Sequence, residues 1–188
     1  MEFINSILEC LGASSHEATL RVTSNAHTRL EQPPYKNDPA EEELAARILN
    51  TLFTSEKSGD ALAFQLQSHF STSSWTESLA RRILDGIVAA LASGQVLVGA
   101  MQETYDKVQV VAEDFVKEHP ILTEVILTVI AIGILALLVP WAVEALGFGE
   151  LGPSADSFAA WWQSTFPDAE AGSLFSYLQR LGMKRGKA

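Results

Sequence analysis

The residue types that most often carry out chemistry are few in this sequence and lie far apart. None of the histidines has the spacing that brings two imidazoles to one metal ion, and Cys10 has no second cysteine to pair with. The histidines are His16, His27, His69 and His119. Residues 147–152 (GFGELG) match the letters of a dinucleotide-binding loop, but no strand precedes them as that loop requires. We therefore expect no metal and no cofactor, and we interpret 147–152 as a turn.

Nucleophilic and paired-carboxylate chemistry also lack a pattern. The sequence has no Gly-x-Ser-x-Gly elbow, and Ser173, which follows Gly172, is in a context typical of a helix cap. Glu124 and Glu144 would be about 30 Å apart on one helix, too far to share a proton. We expect no enzymatic activity, and the two glutamates mark the ends of an apolar run.

That run, residues 125–143, is nineteen residues long and uncharged. As a helix it would measure about 28 Å, close to the thickness of a hydrocarbon core. We predict a transmembrane helix near 121–146, kinked at Pro140, which lacks an N–H and clashes with the preceding turn. Trp141 would lie at the headgroup level. The alternative is the buried central helix of a soluble bundle.

The chain before residue 120 is acidic, with seventeen acidic residues against nine basic ones. The net charge of −10 for the whole chain argues against nucleic acid as a partner. Residues 1–37 are predicted to be a polar, partly disordered arm that is neither a secretory signal nor a mitochondrial presequence. Residues 38–119 are predicted to be helical, with capping patterns at Asp38 and Ser74 and a short helix over 60–70.

A second uncharged stretch, residues 86–102, is seventeen residues long and at the lower limit for crossing a membrane. The helix that begins near Ser74 either continues to residue 120 or is interrupted near Gly94. The stretch is therefore either a buried or interfacial amphipathic helix or a second helix inserted in the membrane.

The chain after residue 143 is rich in aromatic and small residues. Glycines end the apolar helix, and two short helices with apolar stripes are predicted, which lie either at the membrane interface or as the closing layer of a helical core. The first stripe is Phe158, Trp161, Trp162 and Phe166, and the second is Leu174, Phe175, Leu178 and Leu181. The tail 184–188 is basic, which favours an anionic membrane surface.

An ordered set of residues in this last third resembles a known family. The set is Pro140, Ala145, Gly147, Phe148, Gly152, Ser157, Ala159, Ala160 and Ser164, followed by a GSLxxxLQxLG ending that contains Gly172, Ser173, Gln179 and Gly182. Over residues 125–183 it is similar to the interferon-inducible 6-16 (interferon alpha-inducible 27-like) family, in its fungal type. Trp161 and Trp162 stand where animal members are rich in glycine and alanine.

The resemblance implies a small helical protein integral to mitochondrial or endoplasmic reticulum membranes, with a role in apoptosis and no catalytic residues. We therefore predict an all-α membrane protein divided into 1–37, 38–119, a 6-16-like membrane module over 120–183 and the tail 184–188. Its function would be to modulate cell death or membrane integrity. The expected partners are the lipid bilayer, a second copy of the chain and a protein bound by the acidic helices. The alternative function is a soluble helical bundle that binds a protein.

Overall fold

In the computed structural model, the described residues are 38–57, 60–69, 75–149, 152–166 and 177–178. They form seven α-helices: α1 (Pro39–Thr54), α2 (Asp60–His69), α3 (Glu77–Ala92), α4 (Gly99–Glu118), α5 (Ile126–Leu138), α6 (Pro140–Ala145) and α7 (Phe158–Thr165). A 3-10 helix, Pro120–Val125, precedes α5. The strands β1 (Phe148–Gly149) and β2 (Gly152–Pro153) form an antiparallel pair. The predicted helical fold is confirmed, with this short strand pair as an addition. The predicted arm 1–37 and tail 184–188 lie outside the described residues.

The starts of α1 and α3 are fixed by side-chain caps. Asp38 accepts a hydrogen bond from the backbone N–H of Ala40 at 2.9 Å, as the capping pattern predicts. The cap of α3 is Thr76, which accepts from the N–H of Leu79 at 3.0 Å, whereas Ser74 lies outside the described residues. The Thr76 hydroxyl also donates to Glu41 at 2.6 Å, so α1 and α3 begin beside each other.

The uncharged stretch 86–102 is divided by a loop between α3 and α4. Gly94 and Gly99 have φ angles of +68° and +52°, which residues with a Cβ rarely adopt. A Cβ on Gly99 would lie 2.5 Å from the carbonyl oxygen of Ser55, so the end of α1 approaches the start of α4 closely. Of the two arrangements predicted for this part of the chain, the interrupted one is present. A single inserted helix over 86–102 is therefore wrong for this structure.

The helices share one hydrophobic core. Buried apolar side chains from α1 to α7, together with Tyr177, belong to a single cluster. Helix α1 packs on α3 and α4, and both α3 and α4 pack on α5. The core is thus continuous across residue 120, where the sequence changes from acidic to apolar.

Candidate functional site

The apolar segment Pro120–Leu138 is the one stretch of the described chain that is long and apolar enough to cross a membrane. It consists of the 3-10 helix and α5. Helix α5 alone has 13 residues, or about 20 Å at 1.5 Å per residue. With the six residues of the 3-10 helix, at about 2.0 Å each, the segment reaches about 31 Å. That length equals the thickness of a typical hydrocarbon core.

The segment ends where the sequence predicted a kink. Helix α5 stops at Leu138 and α6 begins at Pro140, with Val139 between them at a non-helical ψ of 62°. Proline cannot donate to the carbonyl four residues earlier and its ring crowds the preceding turn, so the helix is interrupted. The predicted interruption is confirmed, but one kinked helix over 121–146 is wrong, because the run is divided into three helical pieces.

The middle of helix α5 is covered on every side. The seven consecutive residues 129–135 are all buried, and seven residues make nearly two turns of helix, so no face of that part is open. Over the most apolar eighteen residues of the segment, 61% are buried. Glu124 and Glu144, which bracket the apolar run, are exposed. The structure therefore shows the candidate span enclosed by the protein's own helices, with its charged ends in water.

Tyr177 packs against the start of α5. Its hydroxyl donates to the carbonyl oxygen of Val129 at 3.1 Å, and its ring stacks on Phe115 of α4 with centroids 5.1 Å apart. Tyr177 and Phe115 are fully buried. No sequence pattern singles out Tyr177, because it lies between the apolar positions of the predicted stripe. The acceptor of its hydroxyl is distant in the sequence and cannot be inferred from neighbouring residues.

Trp141 lies against another tryptophan at the start of α6. Its ring meets Trp75 edge-on, with centroids 5.9 Å apart and planes at 85°. Its indole nitrogen is buried and donates to no acceptor among the described residues. Pro140, beside it, is half-buried. Trp141 thus packs against Trp75 in this structure, and the headgroup position predicted for it stays a prediction.

An aromatic cluster gathers around Phe158 at the start of α7. The ring of Phe158 lies 5.4 Å from Trp161, 5.9 Å from Trp162 and 6.2 Å from Phe148, within the range of favourable aromatic pairs. Trp162 in turn lies 4.7 Å from Phe166. The predicted aromatic stripe is brought together here. Trp162 is only 3% exposed, and its indole nitrogen also finds no acceptor in the described part of the chain.

The turn between α6 and α7 depends on Gly147. Its φ is +90°, and a Cβ there would lie 2.2 Å from the hydroxyl oxygen of Ser157. That hydroxyl donates to the carbonyl of Ser154 at 2.7 Å and accepts from the N–H of Ala160 at 3.2 Å, which caps α7. Gly152 also has a positive φ, +116°, but lies in open space. The turn predicted over 147–152 is present around Gly147 and the strand pair.

Glu77 and Arg81 join the covering helix α3 to α7. A carboxylate oxygen of Glu77 accepts from the backbone N–H of Phe158 at 2.8 Å, and the same oxygen lies 3.8 Å from the Arg81 guanidinium. Arg81 also lies over the Phe158 ring, 5.7 Å from its centroid. The capping pattern assigned Glu77 to its own helix. It instead caps a helix that begins 81 residues later, and no local signal could have revealed that.

The remaining predicted site residues, Gly172, Ser173, Gln179 and Gly182, lie outside the described residues. Within the described ranges, no group of three metal-binding side chains comes together. The geometry of the described part is thus that of a covered apolar segment with an aromatic closing layer.

Residues 127–186 match the model of the interferon-induced 6-16 family. The match begins in α5, includes the aromatic cluster and extends past the described residues, so the resemblance seen in the sequence is confirmed over this segment. No curated protein and no solved structure matches the chain. The family is membrane-associated and is not known as enzymatic, which fits a membrane-associated, non-enzymatic role for this chain.

Proposed function

We propose that this protein inserts the segment Pro120–Leu138 into an organelle membrane, mitochondrial or endoplasmic reticulum, and alters the integrity of that membrane. In this proposal α1, α3 and α4 cover the segment before insertion. The observation that carries the proposal is the coincidence of two features. The one span-length apolar segment of the described chain overlaps the stretch that matches a membrane-associated family.

The side chains of α5 suit both environments. Ile130, Ile132 and Leu135 are buried and purely apolar, so lipid tails can replace the side chains of α3 and α4 around them. The segment is 19 residues long, which is enough to cross a bilayer once its 3-10 part and α5 are aligned. Glu144 lies beyond the segment, whereas Glu124 is its fifth residue, so a crossing helix must keep the Glu124 carboxylate at the headgroup level.

A role in cell death is the finer part of the proposal, and it rests on the family resemblance. The physical route would be leakage of an organelle whose membrane the segment has entered. A measurement of leakage shows whether the segment damages the membrane. An inserted helix that disturbs lipid packing releases the contents of the organelle, whereas a stable anchor does not.

The decisive experiment compares the same substitution at two isoleucines with the same burial. Ile134, near the middle of the apolar run, and Ile83 of α3 are both fully buried, so Ile134→Asp and Ile83→Asp should both disrupt the bundle. Only Ile134→Asp places a charge within the proposed span, which costs about 3 kcal/mol at the centre of a bilayer. Alkaline carbonate extraction of the full chain from cell membranes reads out integral residence.

We expect the unmodified chain and Ile83→Asp to stay in the carbonate pellet and Ile134→Asp to be released. Release of all three proteins would refute the proposal and favour a soluble bundle that binds a protein. Retention of all three would show that Pro120–Leu138 is not the span. Leakage of a dye from phosphatidylcholine vesicles then separates a helix that alters membrane integrity from a simple anchor.

A further inference from the structure

We propose that Glu77 and Arg81 form a latch that holds the bundle closed, and that opening it allows α5 to enter a membrane. The latch is the contact of these two side chains with Phe158. This inference rests on the proposed function, since it names the control of the same insertion. It would make the N-terminal helices an autoinhibitory cover for the apolar segment.

The latch joins the cover to the closing layer. Glu77 and Arg81 lie one turn apart at the start of α3, which itself packs on α5. Phe158 is the first residue of α7 and the centre of the aromatic cluster. The carboxylate of Glu77 lies at the N-terminus of α7, where the helix dipole favours a negative charge. Separation of α3 from α7 must break this contact.

The two partners differ in their access to water. The side chain of Arg81 is 5% exposed and that of Glu77 is 34% exposed. Neutralisation of Glu77 removes a negative charge that faces both Arg81 and the N-terminus of α7, which weakens the contact between α3 and α7. The exposed carboxylate is the half of the latch that solvent, a cation or another protein can reach.

A second observation shows that the closed form has polar groups that a membrane could satisfy. The buried indole N–H groups of Trp141 and Trp162 have no acceptor among the described residues. Tryptophan at a membrane interface donates to headgroup and ester oxygens, so these two groups would gain partners once the bundle opens. Trp162 lies in α7, which the latch holds to α3, and Trp141 lies in α6, which packs on α3.

The test uses the full chain and vesicles of phosphatidylcholine and phosphatidylglycerol. Glu77→Gln removes the charge but keeps an oxygen that can accept from Phe158, whereas Glu77→Ala removes both. Glu42→Gln is the matched control, since Glu42 is an exposed glutamate in the first turn of α1. Flotation measures the partition onto vesicles, and hydrogen exchange measures the opening of α5.

We expect Glu77→Gln to raise vesicle partition about tenfold, because loss of the charge weakens both the bond to the Phe158 N–H and the attraction to Arg81. Glu77→Ala should raise it further, and Glu42→Gln should leave it unchanged. The double variant Glu77→Gln with Arg81→Met removes both charges of the pair. Partition of that variant should be at least as high as that of Glu77→Gln, because the contact of Arg81 with the Phe158 ring is lost as well.

The outcomes separate the latch from the proposed function. If Glu77→Ala speeds exchange of the α5 amides but no variant binds vesicles, the latch stands and the membrane function is refuted. If the unmodified chain binds vesicles and both Glu77 variants match it in binding and exchange, the latch is refuted. If Glu42→Gln raises vesicle partition as much as Glu77→Gln does, the rise comes from the change in net charge, and this result also refutes the latch. If Glu77→Ala unfolds the whole chain, the vesicle partition of the double variant takes its place. A partition equal to that of the unmodified chain then refutes the latch.

Discussion

The turn at Gly147 can be tested by adding a single methyl group. Gly147→Ala forces an L-residue to adopt a φ of +90° and directs its Cβ to 2.2 Å from the Ser157 hydroxyl oxygen. The Cβ of Ser157 is only 0.2 Å farther away, at 2.4 Å, so rotation of the hydroxyl alone cannot relieve the contact. The backbone around Ser157 must shift, and the cap of α7 is lost with it.

The expected cost has two parts. The left-handed backbone costs an alanine about 1–2 kcal/mol, and loss of a serine cap costs about 1 kcal/mol. Gly147→Ala should therefore lower the free energy of unfolding by about 2–3 kcal/mol. Gly94→Ala is the matched control, because Gly94 also has a positive φ but nothing lies within 4 Å of its Cβ position. It should cost only the backbone part, about 1–2 kcal/mol.

A double-mutant cycle isolates the contact with Ser157. Urea unfolding followed by tryptophan fluorescence, with protein and detergent concentrations held constant, gives the free energies. In a Ser157→Gly background the obstructing side chain is absent, so Gly147→Ala should cost about as much as Gly94→Ala. If Gly147→Ala costs the same in both backgrounds, the contact is not the cause and this account of the turn is wrong.

Two further predictions concern the tyrosines. Burial first, and then the charges of Glu113 and Asp106, raises the pKa of Tyr105 above its usual 10.0. The unfolded chain loses this proton at a lower pH than the folded one, so the stabilisation is complete below pH 10 and declines as the pH rises toward the folded pKa. Tyr105→Phe should make unfolding free energies less steep above pH 10, and an unchanged slope would contradict this. Tyr177→Phe removes the bond to Val129 and should lower stability by about 1 kcal/mol, seen as a lower urea midpoint. An unchanged midpoint would show that the hydroxyl contributes nothing.

The sequence predicts those features that depend on neighbouring residues. The cap at Asp38, the interruption before Pro140 and the turn at Gly147 each follow from backbone chemistry within a few residues, and each is present. The contacts of Glu77 and Tyr177 join residues 81 and 48 positions apart. Such pairs depend on how the helices pack, and no periodicity in the sequence records them.

In the proposed mechanism, polar contacts determine whether α5 stays in the helical bundle or enters a bilayer. Lipid tails are as apolar as the side chains of α3 and α4, so α5 gains little by exchanging one cover for the other. Residues 129–135 have no polar face whose burial would require a particular partner. Directional contacts do require one, and in this structure they include the bonds of Glu77 to Phe158 and of Tyr177 to Val129. A few such bonds, each worth about 1 kcal/mol or somewhat more, can therefore shift the equilibrium by orders of magnitude. Under the proposed function, the apolar residues make α5 suitable for a membrane, and these polar contacts set when it can enter.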